Sequence, residues 1–98
     1  MKTEAREKLH DRVCYVILKA PDRFPKDTNM TLQKAYEEMN QNLKLAFEQD
    51  SEEYQRIKNI LNKSFEYYKS SNQKDAIKYL QVIDNYLSGR SGEISNYS

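Results

Sequence analysis

The chain has 98 residues, with 16 Lys and Arg against 15 Asp and Glu, giving a formal net charge of +1. This length supports one domain with a modest core, and a nearly neutral chain gives no electrostatic reason to expect nucleic acid or an anionic membrane as a partner. Only two Gly and two Pro occur, which favours helices over a fold rich in turns.

The first predicted helix runs from about Glu4 to Ala20. Thr3 is a suitable N-cap, and Pro21 prevents the helix from continuing. Apolar residues recur at steps of three and four, which places them on one face. They are Ala5, Leu9, Val13, Val16, Ile17 and Ala20. We expect Phe24, in the link that follows, to fold back over the end of the bundle.

The second predicted helix spans about Thr28 to Gln49, with Asp27 or Thr28 as its N-cap. Its apolar stripe is narrow and evenly spaced. The stripe consists of Leu32, Ala35, Tyr36, Met39, Leu43, Ala46 and Phe47. Asp50 then offers a cap for a third helix, with Glu53 three residues later in the spacing of a capping box.

The third predicted helix continues to about Lys69 and buries one face of aromatic and aliphatic residues. These are Tyr54, Ile57, Ile60, Leu61, Phe65 and Tyr68. Ser71 or Asn72 can cap a fourth helix over about Gln73 to Ser88, and Gly89 is placed to end it in the left-handed conformation. Its core positions are Ala76, Leu80, Ile83 and Leu87.

The segment 65–87 is unusually rich in aromatic residues, namely Phe65, Tyr67, Tyr68, Tyr79 and Tyr86. At helical spacing these rings border the predicted core, where tyrosine hydroxyls can still reach water. We therefore interpret them as packing residues at the edge of the core. The alternative is a groove that receives another helix.

Part of this segment resembles the helical hairpin of tetratricopeptide repeats. The resemblance rests on Ser64 and Tyr67, the turn residue Asn72, and then Ala76, Leu80 and Ile83. A second copy should lie 34 residues earlier, but Asn42 stands there in place of the small residue Ala76. We interpret the pattern as a shared helical hairpin and not as a repeat array.

Four amphipathic segments joined by short links predict an all-α, single-domain, up-down four-helix bundle over residues 1–89. Residues 90–98 have little to bury and are predicted to be a mobile tail. The single cysteine excludes an internal disulfide and favours a reducing compartment. The charged N-terminus lacks the apolar run of a signal peptide. We therefore expect a cytoplasmic protein without membrane association.

No enzyme, cofactor or metal site is predicted. Glu7, His10 and Cys14 share one face of the first helix, as metal ligands would, but no further His or Cys exists to complete a zinc site. A cysteine beside a histidine on an exposed helix also lacks the pocket that nucleophilic catalysis requires. The adjacent pairs Glu37–Glu38 and Glu52–Glu53 diverge by about 100° on a helix and form no acid–base pair.

The expected function is a small protein-binding module, an adaptor, regulator or inhibitor. The first helix carries a second apolar strip opposite its core face, formed by Cys14, Tyr15 and Leu18 with Asp11 among them. A bundle helix needs one buried face, so the strip indicates contact with another protein or with a second copy of the chain. The alternative is that Phe24 and its loop cover it.

The second functional hypothesis is a nucleic-acid-associated regulator. Acidic residues predominate over 27–54 and basic residues over 55–78. The candidate phosphate-binding residues are Arg56, Lys58, Lys63, Lys69, Lys74 and Lys78. Arginine is scarce among them and Glu66 interrupts the face, so solvated lysines on complementary helices are the preferred interpretation.

Overall fold

A computed structural model of the chain describes residues 2–20 and 23–89. It contains four α-helices and one short 3-10 helix: α1 Lys2–Lys19, the 3-10 helix Lys26–Thr28, α2 Leu32–Ala46, α3 Glu52–Lys69 and α4 Gln73–Leu87. No strand occurs in the described ranges. Both α1 and α3 pack against α2 and α4, so the helices form a closed ring around one core.

The predicted all-α four-helix bundle is therefore confirmed. The ring of contacts between successive helices fits an up-down order, which itself stays a prediction. The predicted tail, 90–98, lies outside the described residues.

The core consists of the apolar stripes that helical spacing predicts. Its least accessible apolar side chains are Leu9, Val13, Val16, Met39, Leu43, Ile57, Ile60, Leu61, Leu80 and Ile83. Ile17, Leu32, Phe65 and Leu87 are half-buried and pack at the edge. Full burial of one such side chain contributes roughly 1.5–3 kcal/mol, so these stripes are the main source of stability.

The starts of α1 and α2 differ from the sequence prediction. Lys2 is already helical, so Thr3 lies in the first turn and is not the cap. The second helix begins at Leu32, where Thr31 accepts a hydrogen bond from the Lys34 amide at 3.1 Å. The predicted start at 28 was wrong because residues 26–28 form a separate turn, which ends at left-handed Asn29 with φ of 52°.

The junction between α2 and α3 is longer than predicted, because α2 ends earlier and α3 begins later. Helix α2 ends at Ala46 and not at Gln49, because Phe47 adopts an extended backbone that carries its buried ring into the core. The cap of α3 is Ser51 and not Asp50. The Ser51 hydroxyl accepts a hydrogen bond from the Tyr54 amide at 3.1 Å and donates one to the Glu48 carbonyl at 2.7 Å.

The turn between α3 and α4 agrees with the prediction. Asn72, one of the two predicted caps, accepts a hydrogen bond from the Asp75 amide. The other candidate, Ser71, has a φ of 66° and ends α3, since the next amide returns to the Tyr67 carbonyl at 2.7 Å. Gly89 has a φ of 82° directly after α4, which confirms its predicted conformation.

Four aromatic residues of segment 65–87, namely Phe65, Tyr67, Tyr79 and Tyr86, border the core as predicted, whereas Tyr68 is buried within it. Tyr67 of α3 stacks on Tyr79 of α4 with ring centroids 5.5 Å apart. Phe65 packs against Tyr36 of α2 at 4.8 Å. The hydroxyl of Tyr86 donates to the Glu53 carboxylate of α3. These rings therefore join α3 to its neighbours at the edges of the interior.

One chain of hydrogen bonds crosses the core and links three helices. Ser64 of α3 is fully buried, and its hydroxyl donates to the Ala76 carbonyl of α4 at 2.8 Å. Since that proton is used, the Tyr36 hydroxyl of α2 is the donor in its 2.5 Å contact with the Ser64 oxygen. Burial raises the pKa of Tyr36, so the phenol keeps the proton that it donates.

A second buried phenol, Tyr68, has no such partner among the residues that the structure describes. Its hydroxyl is enclosed and makes no hydrogen bond to the described residues. Burial raises the pKa of Tyr68 to about 12. An enclosed hydroxyl without a partner costs roughly 1–3 kcal/mol, so this group opposes the stability that its ring provides.

We expect Tyr68→Phe and Tyr36→Phe to change stability in opposite directions. Tyr68→Phe removes an unpartnered hydroxyl and should raise the free energy of unfolding by roughly 1 kcal/mol, whereas Tyr36→Phe removes a hydrogen bond and should lower it by roughly 0.5–1.5 kcal/mol. Urea unfolding followed by circular dichroism measures both. Equal losses in the two variants would contradict the assignment of Tyr68 as unpartnered.

The buried phenols also predict a loss of stability at alkaline pH. The pKa of Tyr68 is about 12 in the fold and 10.0 ordinarily, so the unfolded chain ionises first. The free energy of unfolding is therefore unaffected by this group below pH 10, and it decreases as the pH rises from 10 towards 12. The melting temperature should fall over that interval, and it should fall less in Tyr68→Phe. The same slope in both proteins would contradict this contribution.

Candidate functional site

The predicted partner residues lie on α1, but they face three different surroundings. Leu18 is 66% exposed, and Asp11, two helical turns earlier, is exposed on the same outer face. Tyr15 is half-buried towards the link and α2. Cys14 is half-buried on the opposite edge, next to α4. The predicted strip is thus divided between the outer face of α1 and its two edges.

Tyr15 is held by the link that follows α1 and by a neighbouring cation. Its ring stacks on Phe24 with centroids 5.8 Å apart. The Arg12 guanidinium lies 4.8 Å from the same ring and forms a 2.8 Å ion pair with Glu38 of α2. Phe24 therefore covers Tyr15 and leaves Leu18 exposed.

A groove of about 460 Å³ separates α1 from α2 beside Tyr15. It is lined by Lys8, Asp11, Arg12, Tyr15, Glu38 and Asn42. Both signs of charge are present, and the Arg12–Glu38 ion pair crosses the groove. Its walls are thus suited to polar contacts beside the apolar Leu18.

The opposite edge of α1 brings a histidine, a cysteine and an aspartate together. The His10 Nε2 atom lies 2.5 Å from Asp84 Oδ1 of α4, and the Cys14 thiol donates to the same oxygen at 3.6 Å. One potential ligand atom from each residue lies within 4.8 Å of the others. All three side chains are half-buried. This is the clearest convergence of chemically active groups in the described residues.

Sequence spacing identified two members of this cluster and missed the third. His10 and Cys14 are four residues apart on α1, which places them on one face. Asp84 comes from α4 and is 74 residues from His10. No local pattern connects them. Glu7, which shares the helical spacing, is exposed and is not part of the cluster.

The candidate nucleic-acid-binding residues on α3 contact side chains at different places on the bundle. Lys63 lies 6.0 Å from the Tyr79 ring of α4. Lys69 lies 4.8 Å from the Phe65 ring, which packs on Tyr36 of α2. Arg56 pairs with Glu52 and Lys69 with Glu66 on α3 itself. The cations of α3 are therefore partly neutralised and lie along both of its edges.

A larger groove, of about 690 Å³, runs between α2 and α3. It is lined by Gln33, Tyr36, Glu37, Asn40, Gln41, Lys44, Asn62, Phe65 and Lys69. The Tyr36 and Phe65 rings contribute its apolar part, and amide and charged side chains form the rest. The groove is wide and mostly polar, without a compact group of reactive side chains.

Comparison with protein-family models, curated proteins and solved structures finds no match to this chain. Within the described residues, no helix combines the length and the apolar character that crossing a membrane requires. The chemistry of α1 and its edges is therefore the basis for the two proposals that follow.

Proposed function

We propose that this chain is a small protein-binding module that acts as an adaptor, regulator or inhibitor, by binding and not by catalysis. The observation that carries the proposal is the exposure of Leu18, at 66%, on a helix whose opposite face already fills the core. An exposed leucine forgoes roughly 1.5–3 kcal/mol of burial free energy. Contact with another protein would recover it.

The charges around Leu18 favour a second copy of the chain as the occupant. Glu4, Glu7 and Asp11 are exposed at the helical spacing of Leu18 on the outer face of α1, where Lys8 pairs with Glu4 at 3.2 Å, whereas exposed Arg6 lies over the Phe47 ring. Beyond Leu18, Arg23 and Lys26 are exposed and basic, and Asp27 after them is exposed and acidic. An antiparallel twofold pairing would bring Glu7 and Asp11 of one α1 towards Arg23 and Lys26 of the other chain.

Leucine exposure alone does not define such a surface. Leu45 on α2 is 64% exposed, almost as much as Leu18. It lies near the end of α2, beside exposed Lys44, and is remote in sequence from the acidic and basic groups of α1. Leu45 is therefore a matched control for the effect of replacing an exposed leucine.

We expect Leu18→Lys to convert a self-associating protein into a monomer, because it places a cation at the centre of the pairing. Leu45→Lys should leave self-association unchanged. Sedimentation velocity from micromolar to millimolar concentration measures the association. The melting temperature of the monomer should change little in either variant, since both side chains are exposed. Tyr15 is left in place because it packs on Phe24.

One further variant and the salt dependence of the wild type test the charge arrangement. Glu7→Lys with Asp11→Lys should weaken self-association, and added salt should weaken it in the wild type. A wild type that stays monomeric throughout would contradict the self-pairing proposal. Equal loss of association in Leu18→Lys and Leu45→Lys would show nonspecific contact and would contradict the assigned surface.

A further inference from the structure

We propose that His10, Cys14 and Asp84 bind a divalent transition-metal ion of the zinc class. The three residues supply one nitrogen, one sulfur and one oxygen, which is a donor set that zinc accepts. The proposal departs from the sequence prediction of no metal site, because the third ligand is visible only once α4 is packed against α1. It is independent of the proposed α1 pairing.

Two of the three distances between ligand atoms can be compared directly with a tetrahedral site, and the third, from His10 Nε2 to Cys14 Sγ, is within 4.8 Å. Zinc bonds of about 2.0–2.3 Å imply ligand atoms roughly 3.3–3.6 Å apart. Cys14 Sγ and Asp84 Oδ1 are already 3.6 Å apart, whereas the hydrogen-bonded His10 and Asp84 atoms are 2.5 Å apart. Entry of the ion therefore requires the imidazole to move away from the carboxylate by less than about 1 Å and to approach the thiol, both of which side-chain rotation permits.

The backbone beneath the site is well anchored. Val13 lies beside Cys14 in sequence and Ile83 beside Asp84, and both side chains are fully buried. Sites on packed helices hold their ligands more accurately than sites on loops. The side chains of His10 and Asp84 are 29% and 19% exposed, so an ion can enter while part of the surrounding water is excluded.

The arrangement suits coordination better than nucleophilic catalysis. In a catalytic Cys–His pair the imidazole takes the thiol proton through a direct hydrogen bond, whereas the Cys14 thiol and His10 each contact the Asp84 carboxylate. A metal ion would replace these contacts with three bonds of its own. The thiol proton would pass to solvent on binding.

The donors also limit which ions fit. Thiolate and imidazole favour Zn²⁺ and Co²⁺ over Mg²⁺ and Ca²⁺, which prefer oxygen ligands. Three protein ligands leave the fourth tetrahedral position to water or to an exogenous ligand. The site is thus of the open kind, in contrast to a structural site that four side chains close.

The test is titration of the reduced, untagged protein with Co²⁺ and then with Zn²⁺. We expect one Co²⁺ per chain, with the visible bands of tetrahedral cobalt and a thiolate-to-cobalt charge-transfer band. Zn²⁺ should displace the cobalt stoichiometrically, and excess Zn²⁺ should raise the melting temperature because it binds only the folded chain. Absence of both the thiolate band and the thermal shift would overturn the proposal.

Ligand variants separate coordination from a simple hydrogen-bonded cluster. Cys14→Ser should abolish the charge-transfer band, and His10→Gln and Asp84→Asn should each weaken binding by more than the 10–100-fold typical of losing a supporting residue. Asp50→Asn, an exposed aspartate in the α2–α3 junction, is the matched control and should bind normally. Circular dichroism verifies folding. Binding that survives Cys14→Ser, or one ion shared by two chains, would contradict the three-ligand site.

Discussion

The buried hydrogen bonds from Tyr36 through Ser64 to the Ala76 carbonyl are the constraint on which the packing of three helices depends. Water does not reach this part of the core, so a donor that loses its partner there has no substitute. Sliding α3 along α2 or α4 would therefore break one or both bonds. The apolar side chains around them supply most of the stability, and these bonds select one alignment among the similar ones that apolar contact would allow.

Helix α1 is attached by different means. Its apolar face completes the core, and polar contacts at its edges reach α2 through Arg12 and Glu38 and α4 through His10 and Asp84. The outer face between those edges carries the exposed Leu18. Helix α1 therefore contributes to both candidate sites. It supplies Leu18 to the first, and His10 and Cys14 to the second, which Asp84 of α4 completes.

Much of the fold could be predicted from local patterns. Helical spacing identified the core stripes, and the roles of Asn72 and Gly89 followed from the conformations that turns require. The end of α2 could not be predicted, because the tertiary burial of Phe47 overrides a sequence that would otherwise continue as a helix. Likewise, the role of Thr31 as the N-cap of α2 could not be predicted, because the 3-10 turn before it has no distinct sequence signal.

The candidate sites show the same division between local and tertiary information. The exposure of Leu18 followed from its position opposite the core face of α1. The grouping of His10 and Cys14 followed from their spacing, but the role of Asp84 did not, since it depends on which helix packs beside α1. Helical spacing predicted Cys14 to lie on the outer strip of α1. In the structure, α4 packs beside this edge and leaves Cys14 half-buried.

The contact between α1 and α4 also has a consequence for the order of folding. Helices α3 and α4 are joined by the short link 70–72 and can pair early, because little loop entropy opposes them. The ring closes only when the first helix meets the last, across the whole intervening chain. Because α1 also packs extensively on α2, its neighbour in sequence, and α2 packs least on α3, the bundle consists of two helical hairpins and should open transiently between them.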